Sequence, residues 1–252
     1  MGAGLARGAK ASGVRVAFGD GRRIIWDQHS PEIFKRNPNI AAPGDERAGD
    51  LRWVNYYKGN RIYNQQDASQ QRWIWNLDWR PIPGEVFFST LELQRAGQVG
   101  DDFVVIEPNV PWWKSVAPNK DWGKAKYQAV ADRLKARGLR VVQFVNPKSN
   151  IRLRGVETRL SASFRDGLAM LKRAKLFIGP EGGMHHGAAA VGVPAVVLFG
   201  GFIPPSVTGY DDHANLTGGA EACGRYTPCD HCREAMAAIG VEEVVGAALA
   251  RL

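Results

Sequence analysis

After Asp102 the sequence alternates short apolar runs with amphipathic stretches, and this alternation constrains the fold more than any other feature. The apolar runs predict buried strands over 103–106, 139–145, 176–178 and 194–199. The stretches between and after them predict helices over 122–137, 163–174, 184–191 and 241–252. Strands and helices in this order are typical of a parallel sheet covered on both faces. The predicted fold class is therefore α/β.

Residues 14–100 differ in composition and pattern, because they contain five of the eight Trp and few long apolar runs. Here the pattern predicts strands over 14–18, 24–26 and 86–89, a short helix that opens at Ser30, and a loop over 65–71. The first 13 residues carry two positive charges and predict a flexible basic tail. We therefore predict two domains, over 1–100 and 101–252.

The overall composition excludes several classes of protein. With 44% hydrophobic residues the chain has enough apolar material for a core, and no apolar run is long enough for a membrane span. The net charge of +8 favours partners that carry phosphate. Because the basic residues are dispersed and form no recognition motif, no nucleic-acid partner is expected. The amino terminus lacks the apolar centre of a secretory signal, which favours a cytoplasmic protein.

The loop over 179–186 lies between a predicted strand and a helix of small residues. Gly182 and Gly183 would let the backbone come close to a ligand. The exposed N–H groups at the start of the helix favour an anion such as a diphosphate. The alternative is a tight turn in which the glycines serve packing alone.

A second loop, over 118–123, precedes the helix predicted at 122–137. Lys120 in this loop would act as a point charge on a phosphate, and Trp122 would hold the helix in the core. The alternative is a solvated lysine beside an ordinary core tryptophan.

Taken together, Asn119-Lys120-Asp121-Trp122, the 179–186 loop and the 194–200 segment resemble the carboxyl-terminal half of glycosyltransferase family 9. This is the family of ADP-heptose:lipopolysaccharide heptosyltransferases. Its pattern is a lysine–x–tryptophan before a helix, followed later by a glycine–x–aspartate–small–glycine–x–x–histidine loop and a proline-led strand. The resemblance covers residues 102–252.

The resemblance implies a GT-B-like architecture, in which two Rossmann-like halves with parallel sheets face each other, here with a shortened amino-terminal half. It implies an inverting glycosyltransferase that moves a sugar, heptose by analogy, from ADP-heptose or another nucleoside-diphosphate sugar to a saccharide or glycolipid such as lipopolysaccharide core. By analogy with the family, the donor-binding residues are Asn119, Lys120, Glu181, Gly182, Gly183, Met184, His185 and His186. Glu181 replaces the family aspartate, and His185 is an addition to the pattern.

In the family the catalytic base is an aspartate shortly after the first strand, so the resemblance assigns this role to Asp20, with Asp27 as second choice. The turn around Asp20 also reads as an ordinary hairpin. Aromatic and basic residues over 55–61 could hold sugars, or form a surface strand. Because the amino-terminal half is short, the alternative function is a non-catalytic nucleotide-sugar-binding module or subunit. A homo-oligomer and a peripheral contact with the inner membrane surface are compatible with either function.

The three cysteines, Cys223, Cys229 and Cys232, lie within ten residues of one another. With His231 they could form a tetrahedral structural zinc or iron site, with His213 as another candidate for the fourth ligand. A disulfide or three free thiols are the alternatives. No cofactor is expected to be required for catalysis, because cationic side chains and helix dipoles can stabilise the leaving diphosphate.

Overall fold

The computed structural model describes residues 2–55 and 60–252. The first part of the chain contains short elements linked by long loops. Its helices and strands are α1 (Gly2–Ala9), β1 (Arg15–Gly19), α2 (Ser30–Phe34), β2 (Leu51–Asn55), β3 (Asn60–Arg61), β4 (Asn64–Asp67), β5 (Arg72–Trp75) and α3 (Thr90–Ala96). Among the described residues, no helix combines the length and the apolar character needed to cross a bilayer.

The second part of the chain is a regular alternation of strands and helices. Its elements are β6 (Phe103–Ile106), α4 (Lys124–Ala136), β7 (Arg140–Val145), β8 (Glu157–Leu160), α5 (Phe164–Leu171), β9 (Leu176–Pro180), α6 (Gly183–Val191), β10 (Ala195–Leu198), α7 (Pro205–Thr208), β11 (His213–Leu216), α8 (Asp230–Ala238) and α9 (Val241–Leu249). The fold class predicted from the sequence, α/β with a parallel sheet, is confirmed.

The six strands β6 to β11 form one parallel sheet in the order β11-β10-β9-β6-β7-β8. The chain starts in the middle at β6, runs to the edge at β8, returns to β9 beside β6, and then proceeds to the other edge. This is the strand order of a Rossmann fold. Successive strands are added towards one edge from β6 to β8 and towards the opposite edge from β9 to β11, so the order reverses between β6 and β9.

Side chains of the central strands alternate between the two faces of the sheet, as a period of two requires. Phe103 and Val105 of β6 belong to a core shared with α3, α5 and α6, whereas Val104 and Ile106 belong to a core shared with α4, α8 and α9. All four side chains are almost fully buried. Helices on both faces therefore explain why this strand is apolar at every position.

The amino-terminal part consists of a parallel pair, β1 and β2, and a three-stranded antiparallel sheet, β3-β4-β5. The flexible tail predicted for the first 13 residues is wrong, because residues 2–9 form α1. Ala3, Ala6 and Ala9 recur along one face of α1, and their small side chains let the helix pack on β1.

Three other expectations in this part are wrong. The polar segment predicted as a loop over 65–71 contains β4, which pairs with β5; polar residues are tolerated because the hairpin's outer face is solvated. The strand predicted over 24–26 is reduced to one bridge between Gly19 and Ile24. The strand predicted over 86–89 is irregular chain, since Ser89 caps α3 in a capping box with Glu92. The division at residue 100 stays a prediction.

Candidate functional site

A cavity of about 320 Å³ opens at the carboxyl ends of β6, β7 and β9. It lies beside the reversal between β6 and β9, where open α/β sheets bind their ligands. The charged residues that line it are Glu107, Lys114, Lys120, Lys148 and Glu181. The lining therefore contains three cations and two carboxyl groups.

Lys120 and Glu181 come from the two loops singled out in the sequence, and they meet at this cavity. The Lys120 ammonium forms an ion pair with the Glu181 carboxylate and lies 3.3 Å from the Glu181 carbonyl oxygen. Their side chains are 14% and 6% exposed. The fold thus joins two groups that are 61 residues apart in the chain.

Each partner of this ion pair lies next to a segment that is held by a hydrogen bond to another element. Lys120 follows a short 3-10 turn, Ala117–Asn119, and the buried Trp122 donates a hydrogen bond to the Ile239 carbonyl at 3.0 Å. Glu181 directly follows β9, and its N–H donates to the Leu198 carbonyl of β10 at 3.0 Å. The sequence-based expectation that Trp122 lies in the core is confirmed.

The start of α6 forms part of the cavity wall, which Gly182, Gly183 and Met184 line. The first N–H groups of a helix have no acceptor within the helix, so they are suited to an anion. A Cβ added at Gly182 would have only the Pro180 carbonyl oxygen within 4.0 Å, so the space beside Gly182 is open. The backbone is thus accessible to a ligand here.

His185 lies behind the cavity wall and caps α6. Its ring is fully buried, with Nδ1 accepting the Gly182 N–H at 3.3 Å and Nε2 hydrogen-bonded to the Thr208 carbonyl at 2.9 Å. A carbonyl can only accept, so Nε2 carries the proton. Burial lowers the pKa of His185 to about 4, and the imidazole is therefore neutral at physiological pH.

His186 lies near Oε1 of the Glu181 carboxylate, whereas Lys120 pairs with Oε2. Its Nε2 lies 3.8 Å from Glu181 Oε1, and its Nδ1 is 2.9 Å from the Tyr210 hydroxyl. Burial lowers the pKa of His186 well below its ordinary value. Burial opposes ionisation of Glu181, but attraction to Lys120 outweighs it, and the pKa of Glu181 lies below its ordinary value. The site thus holds an ionised Glu181 beside a neutral His186.

Asn119 is not among the described residues that line this cavity. Its fully buried amide donates to the Arg225 and Thr227 carbonyls at 2.7 and 2.8 Å and accepts the Cys229 N–H at 2.9 Å. Asn119 therefore holds the cysteine segment against the loop that carries Lys120.

The three cysteine thiols converge. Their sulfur atoms all lie within 4.8 Å of one another, which is close enough for them to share a metal ion. Burial raises the pKa of Cys232, whereas hydrogen bonds from neighbouring N–H groups and thiols outweigh burial at Cys229 and lower its pKa. His231 is not part of this cluster, since its Nε2 contacts the Glu221 carbonyl at 2.8 Å. His213 lies elsewhere, with its ring 5.8 Å from His185.

The two aspartates considered as catalytic base lie in the amino-terminal part. Asp20 is exposed, and its carboxylate accepts the N–H groups of Arg22 and Arg23 at 2.8 and 2.7 Å, which lowers its pKa. Asp27 lines a second cavity of about 370 Å³, whose walls include Phe18 and Phe34. Of the 55–61 segment, residues 56–59 lie outside the described part of the chain.

Glu107 is a site residue that the sequence analysis missed. It follows β6 directly, is half-buried, and accepts the backbone N–H and side-chain amide of Asn109 at 2.8 and 2.9 Å through Oε1. Burial raises its pKa to about 7. The available signal was an acidic residue placed immediately after an apolar strand, at the end of the sheet where ligands bind.

The parallel sheet with Rossmann strand order and helices on both faces defines a Rossmann-like α/β protein, with a cavity at the point where ligands bind in this class of fold. The sequence profile of glycosyltransferase family 9 (heptosyltransferase) matches residues 83–235, more than half of the chain, and the chain belongs to this family.

Individual relatives agree with this assignment. Lipopolysaccharide heptosyltransferase 3 of Escherichia coli is 36% identical over 121 residues, which cover 43% of this chain and 34% of the relative. The crystal structure of a family 9 glycosyltransferase from Veillonella parvula has a TM-score of 0.51 at 17% identity, covering 66% of this chain and 53% of that one. The iron-containing dodecameric glycosyltransferase TibC of enterotoxigenic E. coli has a TM-score of 0.52 at 17% identity, covering 88% and 65%.

These likenesses to solved structures establish the fold, and they support the GT-B-like α/β class. The chain spans about a third of the curated relative and about half of the Veillonella protein.

Proposed function

We propose that this protein is an inverting glycosyltransferase that binds a nucleoside-diphosphate sugar, ADP-heptose in the first instance, in the cavity at the carboxyl ends of β6, β7 and β9. The observation that carries the proposal is the meeting of Lys120 with the Glu181–Gly183 loop at the reversal point of the sheet. Membership of the heptosyltransferase family and the 36% identity to an E. coli heptosyltransferase support the choice of donor.

In the proposed reaction the donor diphosphate lies between Lys120 and the first N–H groups of α6. An acceptor hydroxyl attacks the anomeric carbon as the bond from that carbon to the diphosphate oxygen breaks, and the bonding pair leaves with the oxygen. Lys120 and the helix amides stabilise the negative charge that develops there, so this step needs no metal ion. A carboxylate takes the proton of the acceptor hydroxyl.

We assign the role of base to Asp20, as the family pattern implies, with Asp27 as second choice. The proposed acceptor is a saccharide or glycolipid such as lipopolysaccharide core, in keeping with the curated relative. The acceptor would occupy the cavity that Asp27 lines in the amino-terminal part. A cytoplasmic location, a homo-oligomer and a contact with the inner membrane surface stay predictions.

The cysteine cluster fits a structural zinc or iron ion. Three sulfur atoms within 4.8 Å of one another supply three of the four ligands of a tetrahedral site, and the lowered pKa of Cys229 favours the thiolate that a metal needs. Such an ion would brace the segment that Asn119 holds. Metal analysis of the purified protein, compared with Cys232→Ser, tests this assignment; equal metal content in both proteins contradicts it.

A non-catalytic nucleotide-sugar-binding module is the second candidate function. The observation that favours it is the placement of Asp20, whose carboxylate is exposed and hydrogen-bonded within its own turn. Turnover of ADP-heptose that disappears in Asp20→Asn supports the enzyme, whereas donor binding without turnover supports the module.

Calorimetry with ADP, GDP and UDP tests the donor site. Lys120→Ala should weaken diphosphate binding by about 1.5–3 kcal/mol, the contribution of a hydrogen bond to a charged group, or roughly ten- to 150-fold in Kd. Lys124→Ala is the matched control, because Lys124 is exposed and does not line the cavity.

Glu181→Gln in the Lys120→Ala background separates loss of a ligand contact from damage caused by an unpaired buried carboxylate. Affinity that returns in this double variant would remove Lys120 from the site. Failure of all three nucleotides to bind the unmodified protein would refute the proposed function.

A further inference from the structure

The cavity contains a carboxyl group, Glu107, that the proposed donor-binding scheme leaves without a role. Glu107 stands at the end of the central strand β6, where its backbone N–H donates to the Ile178 carbonyl of β9 at 2.8 Å. Its side chain lines the same cavity as Lys120, Gly182 and Gly183. A ligand that fills this space of about 320 Å³ therefore contacts both groups.

A chain of hydrogen bonds holds the Glu107 carboxyl in place. Asn109, which bonds its Oε1 atom twice, accepts the N–H groups of Asn150 and Ile151 at 3.0 and 2.8 Å. The Ile151 carbonyl in turn accepts the side chain of Gln143 at 2.8 Å. These contacts use only Oε1, so Oε2 is the atom left to meet a ligand in the part of the chain that the structure describes.

The cations of the cavity do not neutralise Glu107. Lys120 is paired with Glu181, and the Lys148 ammonium lies over the Trp113 ring, 5.0 Å from its centroid. Within residues 2–55 and 60–252, no lysine or arginine nitrogen comes within 4.0 Å of the Glu107 carboxyl, the ion-pair limit.

The other ionisable groups around Glu107 form no ion pair with it in the described part of the chain. Lys114 shares the cavity, Glu181 faces it from the end of β9, and Tyr127 of α4 lies behind it. Burial outweighs the two hydrogen bonds from Asn109, which favour the ionised form, and raises the pKa of Glu107 to about 7, so a large fraction of the carboxyl is protonated at neutral pH.

We propose that Glu107 is a donor-binding residue whose protonated carboxyl donates a hydrogen bond from Oε2 to an oxygen of the donor diphosphate. This inference rests on the proposed function. The protonated form is required because an ionised Glu107 would repel the diphosphate, unlike the Glu181 carboxylate, whose charge Lys120 balances. A neutral Glu107 carboxyl instead adds a donor beside Lys120 and the α6 amides. Donor binding is therefore coupled to proton uptake by Glu107, and it weakens as the pH rises above 7.

The test is calorimetry with ADP on the unmodified protein and on Glu107→Gln, at about pH 6 and about pH 8.5. A glutamine keeps a donor at this position and cannot ionise. Any other pH dependence of ADP binding is common to both proteins, so the ratio of the ADP affinity of the unmodified protein to that of Glu107→Gln reports the ionisation of Glu107 alone. Between the two pH values the affinity of the unmodified protein should fall about thirtyfold relative to that of Glu107→Gln, for a group with a pKa near 7.

Two controls accompany this comparison. Glu234→Gln, an exposed residue of α8, should follow the unmodified protein at both pH values. Repeating the titration in two buffers of different ionisation enthalpy measures proton uptake directly, and this measurement needs no variant. At about pH 7.5 the unmodified protein should take up more protons per ADP bound than Glu107→Gln does.

The outcomes are distinct. If the ratio of the ADP affinity of the unmodified protein to that of Glu107→Gln does not change with pH, Glu107 lies away from the diphosphate and the proposal is overturned. If this ratio rises with pH, Glu107 accepts a hydrogen bond from a hydroxyl group, which also overturns the proposal. If Glu107→Gln does not fold, proton uptake by the unmodified protein decides, and its absence overturns the proposal. Absence of ADP binding at both pH values in the unmodified protein and Glu107→Gln alike refutes the proposed function itself.

Discussion

Arg165 is a buried arginine that ties the start of α5 to the chain that precedes the sheet. Its side chain is 8% exposed, and its Nε donates to Glu92 of α3 at 2.5 Å. The same guanidinium donates to the carbonyls of Glu32 and Phe87, and its backbone N–H donates to the Glu32 carboxylate at 3.1 Å. Removal of the Glu92 charge should therefore destabilise the whole molecule.

The magnitude follows from the pKa of Glu92. The hydrogen bond from Arg165 is the main cause that lowers this pKa from 4.5 to about 2. At about 1.36 kcal/mol for each pKa unit, this difference corresponds to about 3 kcal/mol at neutral pH. The value agrees with the roughly 3–5 kcal/mol expected when one partner of a buried ion pair is removed. Glu92→Gln should thus lower the free energy of unfolding by about 3 kcal/mol at pH 7.

Urea denaturation at several pH values checks both the size and the sign of this effect. Because the pKa of Glu92 is depressed in the folded state, its contribution is complete above the unfolded pKa near 4.5 and is lost as the pH falls towards 2. The deficit of Glu92→Gln should therefore shrink below about pH 4.5. Glu234→Gln, on an exposed face of α8, should change stability by less than about 0.5 kcal/mol. A deficit of Glu92→Gln that is negligible at pH 7, or independent of pH, would refute the reasoning.

Two further predictions concern α6. A Cβ at Gly187 would collide with the Leu168 side chain, so Gly187→Ala should cost about 1–3 kcal/mol in urea denaturation. Gly246→Ala in α9, where a Cβ meets nothing within 4 Å, should instead stabilise by about 0.5–1 kcal/mol; equal effects would contradict the packing account. His185 is buried with its pKa lowered to about 4, so its contribution is complete above pH 6.5 and is lost as the pH falls towards 4. The unfolding free energy of His185→Gln should lack this dependence, and parallel pH curves would count against a buried neutral imidazole.

The carboxyl-terminal half was largely predictable from the sequence because its signals are local. Buried strands such as β6 are short and apolar at every position, and α4 buries Tyr127, Val130 and Leu134 on the face that its periodicity indicates. The amino-terminal part was harder to predict. The small residues of α1 and the polar strand β4 acquire their structure from the segments packed against them, and no local pattern specifies those partners.

The same difference separates the parts of the candidate site. The sequence alone determined that Lys120 and the 179–186 loop lie next to predicted helices, and the family resemblance assigned both to the donor site. Only the tertiary structure decided what each side chain does there: Asn119 turns to the cysteine segment, His185 caps α6, and Glu107 enters the cavity. The physical reason is that strand and helix patterns depend on neighbours in the chain, whereas burial and hydrogen-bond partners depend on residues far apart in it.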